Sequence, residues 1–257
     1  MVVQYVSDLH LEFGQNATYL ETHPIEPLGD VLVLAGDVTS LNYYKTRPLE
    51  KTLFKTLSRQ FAQVYYIPGN HEFYRSLDAR LLDEPLQEAL LPNVFLLNNT
   101  TRTYGGVRFV FATLWSQIDQ VNEFTFKHNM ADFQLITYRG RMLHPSVYSR
   151  DLHGPARAFL QRELSRRVPE PTIVVTHHMP SLRCVHPRHA GSVLEQGFAN
   201  DLDDLILATQ PAYWLYGHSH ANQPPIQIGQ TQLLTNMLGY CHGGEQEGYS
   251  NAAVFSV

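Results

Sequence analysis

Five short polar stretches could do chemistry in this chain, and each follows an apolar run. Ser7-Asp8-Leu9-His10 follows Val2–Val6, and Gly36-Asp37 follows Val31–Leu34. Gly69-Asn70-His71-Glu72 follows Val64–Ile67, with Pro68 between them. Thr176-His177-His178 follows Ile173–Val175, and Gly217-His218-Ser219-His220 follows Tyr213–Tyr216. Singly, each has a plain reading. Gly-Asp is a common turn, Pro-Gly-Asn ends strands, and paired imidazoles occur on surfaces. Five in succession are a different matter, because independent turns have no reason to place carboxylates, an amide and imidazoles after strand upon strand. Asp8, His10, Asp37, Asn70, His177, His218 and His220 supply seven donors, more than one tetrahedral zinc uses. Mixed imidazole and oxygen donors suit two transition ions, such as Mn, Fe or Zn, sharing a bridging carboxylate, and disfavour calcium. Two ions about 3.5–4 Å apart clamp phosphate esters: a bridging water loses its proton and attacks phosphorus, and both ions neutralise the phosphate oxygens.

The elements that must position these residues are readable in outline. The five apolar runs, with Val94–Leu97 and Val107–Ala112, are short, rich in β-branched and aromatic residues, and end at turn signals. Continuous runs such as "VLVLAG" and "TIVVTH" predict strands covered on both faces. A later ribbon is expected around Pro225–Ile228, Gln232–Thr235 and Ala252–Val257. "PLEKTLFKTLSRQFAQ" predicts a helix opening at Pro48, with Leu49, Leu53, Leu57 and Phe61 along one face. "SLDARLLDEPLQEALL" reads as a second helix divided at Pro85, a third starts near Pro155, and "ANDLDDLILATQ" is a fourth. Asp8 and His10, two apart, point the same way if extended geometry continues past the first strand. The carboxyl ends of strands are where α/β proteins gather their sites.

At 257 residues the chain reads as one α/β domain with a substantial core. No linker or repeat breaks it. Residues 117–153 are polar and aromatic without a steady period, which reads as a packed lid or specificity insertion. Trp115, Phe124, Phe126, Phe133, Tyr138 and His128 read as core aromatics or as a platform for a flat group, hence a nucleotide-like substrate. Hydrophobic content of 44% and a net charge of −5 describe a globular protein with no electrostatic pull on long nucleic acid. Cys184 and Cys241 do not make a disulfide framework. No stretch approaches the roughly 20 apolar residues of a spanning helix, and the N-terminus lacks the features of a secretion signal. The expectation is a cytoplasmic protein without membrane partners; its oligomeric state is not legible.

In this order the motifs Asp8-x-His10, Gly36-Asp37, Gly69-Asn70-His71-Glu72, Thr176-His177 and Gly217-His218-x-His220 resemble the signature of the calcineurin-like metallophosphoesterases. The resemblance implies a four-layer α/β/β/α sandwich of two mixed sheets flanked by helices, acting on a small phosphate monoester or diester. It implies that Asp8, His10 and His220 hold one ion, that Asp37 bridges, and that Asn70, His177 and His218 hold the other. His71 is then no ligand but the general acid that protonates the leaving oxygen, with Glu72 holding its other ring nitrogen. His178 is not required as a ligand and is expected to line the pocket. His186 and His189 read as loop histidines, and Arg183 or Arg188 as surface residues or contacts to a distal phosphate. The chain lacks the Asp and Arg that follow the Gly-Asp motif in the protein Ser/Thr phosphatases, and Phe73-Tyr74 follow Glu72. It is most similar to small bacterial-type phosphohydrolases. Two other classes remain: a non-catalytic interaction module on the same fold, whose mark is loss of residues such as His71, and a metal-dependent amide or nucleobase hydrolase, in which HxH comes first.

Overall fold

The computed structural model describes residues 1–44, 46–187 and 190–257. Its first half runs through Val2–Val6 (β1), Val31–Leu34 (β2), Gln63–Tyr66 (β3), Leu86–Leu91 (β4), Val94–Asn98 (β5), Thr100–Tyr104 (β6) and Val107–Ala112 (β7). After a small hairpin, Thr137–Tyr138 (β8) and Arg141–Met142 (β9), come Thr172–Thr176 (β10), Tyr213–Tyr216 (β11), Ile226–Ile228 (β12), Thr231–Thr235 (β13) and Val254–Ser256 (β14).

Two mixed sheets of six strands result, ordered β14-β1-β2-β3-β5-β4 and β12-β13-β11-β10-β7-β6. In each, four parallel strands lie between antiparallel edges. The parallel strands are predominantly apolar because they are covered twice, although Gln4, Asn98 and Arg108 are buried within them. Along β2, Val31 and Val33 face the other sheet, where they meet Phe109, Ile173, Val175 and Leu215. Leu32 and Leu34 face outward into a separate core with Phe54 and Leu57. The second sheet repeats the pattern, with Val174 and Trp214 packed outward with Phe159, Leu160 and Ile206. Three apolar interfaces thus separate four layers, and the sandwich implied by the motifs is the observed architecture.

The helices are Gly14–Thr22 (α1), Pro48–Gln60 (α2), Glu123–Asn129 (α3), Asp132–Leu135 (α4), Pro145–Val147 (α5), Gly154–Leu164 (α6) and Asp203–Thr209 (α7). Helix α2 forms where its period predicts, but its buried face is shifted. Glu50, Phe54 and Leu57 are buried, whereas Leu49 and Leu53 are only partly covered. The expected helix over 76–91 does not form. Ala79–Leu82 makes one short helical turn, and Leu86–Leu91 then pairs antiparallel with β5 as an edge strand. Pro85 stops the helix at its start, and an exposed sheet edge next to β5 wins the apolar residues beyond it. Strand β6 and helix α1 had no periodic signal.

Residues 117–153 are short helices and a hairpin. Trp115, Phe126, Phe133 and Tyr138 are buried in the outer core of the first sheet, and Phe124 projects outward against His128. Of the two readings of these aromatics, core holds for Trp115, Phe126, Phe133 and Tyr138. Among the described residues no helix is long and apolar enough to cross a membrane.

The face of α2 is testable. Phe54 is 3% exposed and stacks on Tyr66 at 5.8 Å. Phe54→Ala should lose about 3–5 kcal/mol in denaturant unfolding, and Leu53→Ala distinctly less.

Candidate metal centre

Three of the strands that lead to the centre, β1, β2 and β11, end where the backbone turns left-handed. Asp8, His10, Asp37, His218 and His220 all have φ between 47° and 80°. Extended geometry therefore does not carry past β1. Asp8 and His10 still reach one site because the exit coils and is held by Asp8 N–H to Gly36 O and His10 N–H to Asp37 O (3.0 and 2.9 Å). The two sheets touch at this point. Ser7 bridges to Met237 beyond β13, and the His218 N–H donates to the Asp8 carboxylate at 3.0 Å. Gly69 leaves the room needed. A Cβ there would meet Asp37 Oδ1 and stand 2.7 Å from His177 Nε2.

All seven candidate donors converge. Asp8, His10, Asp37 and His220 form one buried group and Asp37, His177 and His218 another, each with donor atoms within 4.8 Å of one another. Asp37 belongs to both. Its Oδ2 lies 3.3 Å from His177 Nε2 and 3.8 Å from His10 Nε2, while its Oδ1 accepts the His71 N–H at 2.9 Å. Asn70 Oδ1 faces the second group, 3.2 Å from His177 Nε2.

The imidazoles are held from behind. His10 Nδ1 is 3.1 Å from Glu12 Oε1, His220 Nδ1 is 2.7 Å from Glu245 Oε2, and His177 Nδ1 donates to Ala35 O at 2.9 Å. Each Nε2 is thereby turned to the centre, the arrangement by which proteins orient metal-bound histidines. His10 Nε2 and His220 Nε2 stand only 2.9 Å apart, and His218 Nε2 is buried with no hydrogen-bond partner among the described residues. Converging imidazole and carboxylate donors and an orphaned imidazole nitrogen fit metal ions.

Charge gives the same picture. Burial works against a charged His177, but Asp37, through charge and a hydrogen bond, and Asp8 lift it to about 10. Burial likewise opposes a charged His220, and Asp8 and Glu245 lift it to about 9. Asp37, although buried, is held well below the usual carboxylate range by His177 and His71.

His71 stands beside the centre, its ring 4.4 Å from that of His10. Its Nδ1 does not meet Glu72. Glu12 Oε1 accepts there at 2.9 Å, and Tyr240 OH is 3.0 Å from Nε2. Glu72 instead takes the backbone N–H groups of Asp37, Val38 and Gly69, at 3.0, 2.8 and 2.6 Å, and the Tyr66 hydroxyl at 2.5 Å. With its oxygens committed to the loops that carry Asp37 and Asn70, Glu72 cannot orient an imidazole. Glu12, Glu245 and Tyr240 were missed from the sequence. Glu12 was findable, since Asp8, His10 and Glu12 continue one alternation.

His178 does not line the pocket. It is fully buried, its Nε2 is 2.9 Å from Tyr148 OH, and its ring packs on Trp115 and His218. Arg183 is paired with Asp203 at 2.8 Å, and neither it nor His186 lines the cleft at the centre. Arg188 and His189 lie outside the described residues.

The family model for calcineurin-like phosphoesterases matches residues 1–222, and the chain belongs to that family. L509 of Acanthamoeba polyphaga mimivirus is 28% identical over 270 residues, spanning 94% of this chain and 92% of its own. Among solved structures, the phosphopantetheinyl hydrolase PptH of Mycobacterium tuberculosis aligns with a TM-score of 0.67 at 18% identity. That alignment covers 97% of this chain and 93% of the other, a likeness of fold.

Metal uptake should be proton-linked. Without metal, His177 and His220 keep their protons below about 10 and about 9. A metal takes only the neutral ring, so binding expels protons and affinity rises as pH climbs from neutrality toward 9. Calorimetric Mn²⁺ titration at pH 7 in two buffers of different ionisation heat should show proton release. Heats independent of buffer would contradict the ligand assignment.

Proposed function

We propose that this chain is a dinuclear metal-dependent phosphoesterase acting on a small phosphate monoester or diester. In this reading Asp8, His10 and His220 hold one ion, Asn70, His177 and His218 the other, and Asp37 bridges them. The observation that carries it is the single Asp37 oxygen facing both imidazole groups, with a non-ligand histidine alongside. When bound, the ions supply Lewis acidity at the phosphate and at the attacking water.

The chain's own residues do the rest. Burial opposes a charged His71, yet the nearby Asp37 charge and the Glu12 carboxylate raise its pKa, so the ring holds a proton to give. With Nδ1 anchored on Glu12, the proton for the leaving oxygen comes from Nε2, the nitrogen beside Tyr240. Glu72 acts at one remove, fixing the loops of Asp37 and Asn70. Asn70 brings a neutral donor, which spares the anionic substrate a further negative charge.

The pocket points to one phosphate and an organic group. Tyr74, Met130, Leu194, Phe198 and Tyr240 are among its walls, and no Lys or Arg is among its described lining residues. A cavity of about 390 Å³ lined by Met179, Val185 and Phe198, with His186 and Glu195 also in its wall, adjoins it, sharing Leu194, Phe198 and Ser219. That cavity suits an uncharged ester group better than a second phosphate. A nucleotide-like substrate loses the platform that suggested it, because Trp115, Phe126, Phe133 and Tyr138 are core and neither Phe124 nor His128 lines the cleft at the centre. No observation favours an interaction module, since no motif residue is missing, and the amide or nucleobase hydrolase belonged to another fold.

The test is turnover of p-nitrophenyl phosphate and bis-p-nitrophenyl phosphate by Mn²⁺-reconstituted protein. His71→Asn should lower turnover by about 10²–10⁴-fold with its metal content retained. Full activity in that variant would refute the acid. Glu12→Gln should lower turnover and shift the pH profile. Glu72→Gln should mainly lower the melting temperature, because it loosens two loops and leaves the acid's partner in place.

A further inference from the structure

Asp132 is a buried carboxylate that neither the motifs nor the proposed reaction uses. It opens α4, inside the aperiodic segment, and is 0% exposed. Its Oδ1 accepts from Asn70 Nδ2 at 2.8 Å and from Tyr74 OH at 2.5 Å. Tyr74 OH in turn accepts from Asn70 Nδ2 at 3.1 Å, and the Tyr74 ring stacks on His71 with centroids 4.0 Å apart. No described residue hydrogen-bonds Asp132 Oδ2.

An amide has two ends of nearly equal shape, and only the oxygen binds a metal. A carboxylate only accepts, so it holds the nitrogen end toward itself. With Nδ2 on Asp132 and Tyr74, Asn70 Oδ1 is left facing His177 and the Asp37 side of the centre. The carboxylate itself has an amide and a phenol for partners, with no cation hydrogen-bonded to it. Burying a charge that way is costly unless positive charge stands close by.

We propose that Asp132 is the positioning residue of the Asn70 ligand: it selects which end of the amide meets the metal and, through Tyr74, ties that ligand to the seat of His71. Residues 117–153 then serve the centre by fixing a ligand, not by stacking on substrate. This rests on the two-metal reading above.

The test is calorimetric titration of the metal-free protein with Mn²⁺, alongside Asp132→Asn, Asp132→Ala and Tyr74→Phe. One of two uptake steps should weaken about 10–100-fold in Asp132→Ala, the size expected for loss of a group behind a ligand. It should weaken less in Asp132→Asn, whose amide still offers an accepting oxygen but can also turn its NH₂ toward Asn70. The other step should stay within about threefold of the unsubstituted protein's, a ratio that ten- to hundredfold selectivity makes easy to read. Tyr74→Phe keeps the Asp132–Asn70 bond and should weaken the same step less. Asp132→Asn removes an unpaired buried charge, so the metal-free variant should melt no lower than the parent. A merely structural residue would give the reverse, with a lowered melting point and both steps weakened alike. That outcome, or two unchanged steps, overturns the proposal. If the unsubstituted protein takes up fewer than two ions, the two-metal reading fails and this inference falls with it.

Discussion

The structure depends on one carboxylate. Asp37 is 1% exposed, and its two oxygens face different tasks, one taking the His71 N–H and the other confronting the imidazoles of both sheets. A charge buried that deeply is tolerable only among donors and cations. The raised proton affinities of His71 and His177 are the protein's answer when metal is absent, since both owe them largely to Asp37. Glu72, bonded to the Asp37 N–H, is the second buried acid in the same loop pair. Burial and the Asp37 charge push it up to about 8. Its hydrogen bonds nonetheless all come from donors, so it accepts in each of them. The loops after β2 and β3 therefore have little freedom: each is bolted to the other through an acid.

The same economy explains the backbone. Five of the seven candidate ligands sit in left-handed conformations that cost an ordinary residue roughly 1–2 kcal/mol. Such conformations persist only where surroundings over-determine them. Here the surroundings are the cross-strand hydrogen bonds from Asp8 and His10, and glycines at 36 and 69 whose missing Cβ atoms leave space for His177. The motif glycines and the motif ligands are thus one device.

How much of this was legible follows from where the signal lay. The parallel strands announced themselves because double burial keeps them mostly apolar, as in Val31–Leu34 and Ile173–Val175, and the ligands because they break such runs abruptly. Helix α2 was visible from its period, but its rotation was not, since only packing decides that Glu50 turns inward, where Thr39 Oγ1 donates to it at 3.2 Å. Edge elements were harder. Leu86–Leu91 has the composition of a helix and becomes a strand because a partner edge awaits it. The groups behind the ligands were the least legible. Glu245 and Asp132 are common surface residues by type, and nothing local shows that the chain returns them to a centre built elsewhere. Glu72 misled for the opposite reason: the resemblance implied a contact with His71, whereas its oxygens are taken by the N–H groups of Asp37, Val38 and Gly69 and by Tyr66.

The junction of the two sheets at Ser7 and Met237 also bears on how the molecule comes into being. Asp8, His10, Asp37 and Asn70 belong to the first sheet's strands, whereas His177, His218 and His220 follow strands of the second. A nascent chain that has made only β1 to β5 of its first sheet owns the carboxylates but lacks three of the imidazoles. It cannot capture metal tightly until residues more than 200 positions apart have met, as His10 and His220 do. Contacts of such sequence separation form late and slowly. On the two-metal reading, metal capture would be the closing act of folding, and a loaded centre would certify that both halves have docked.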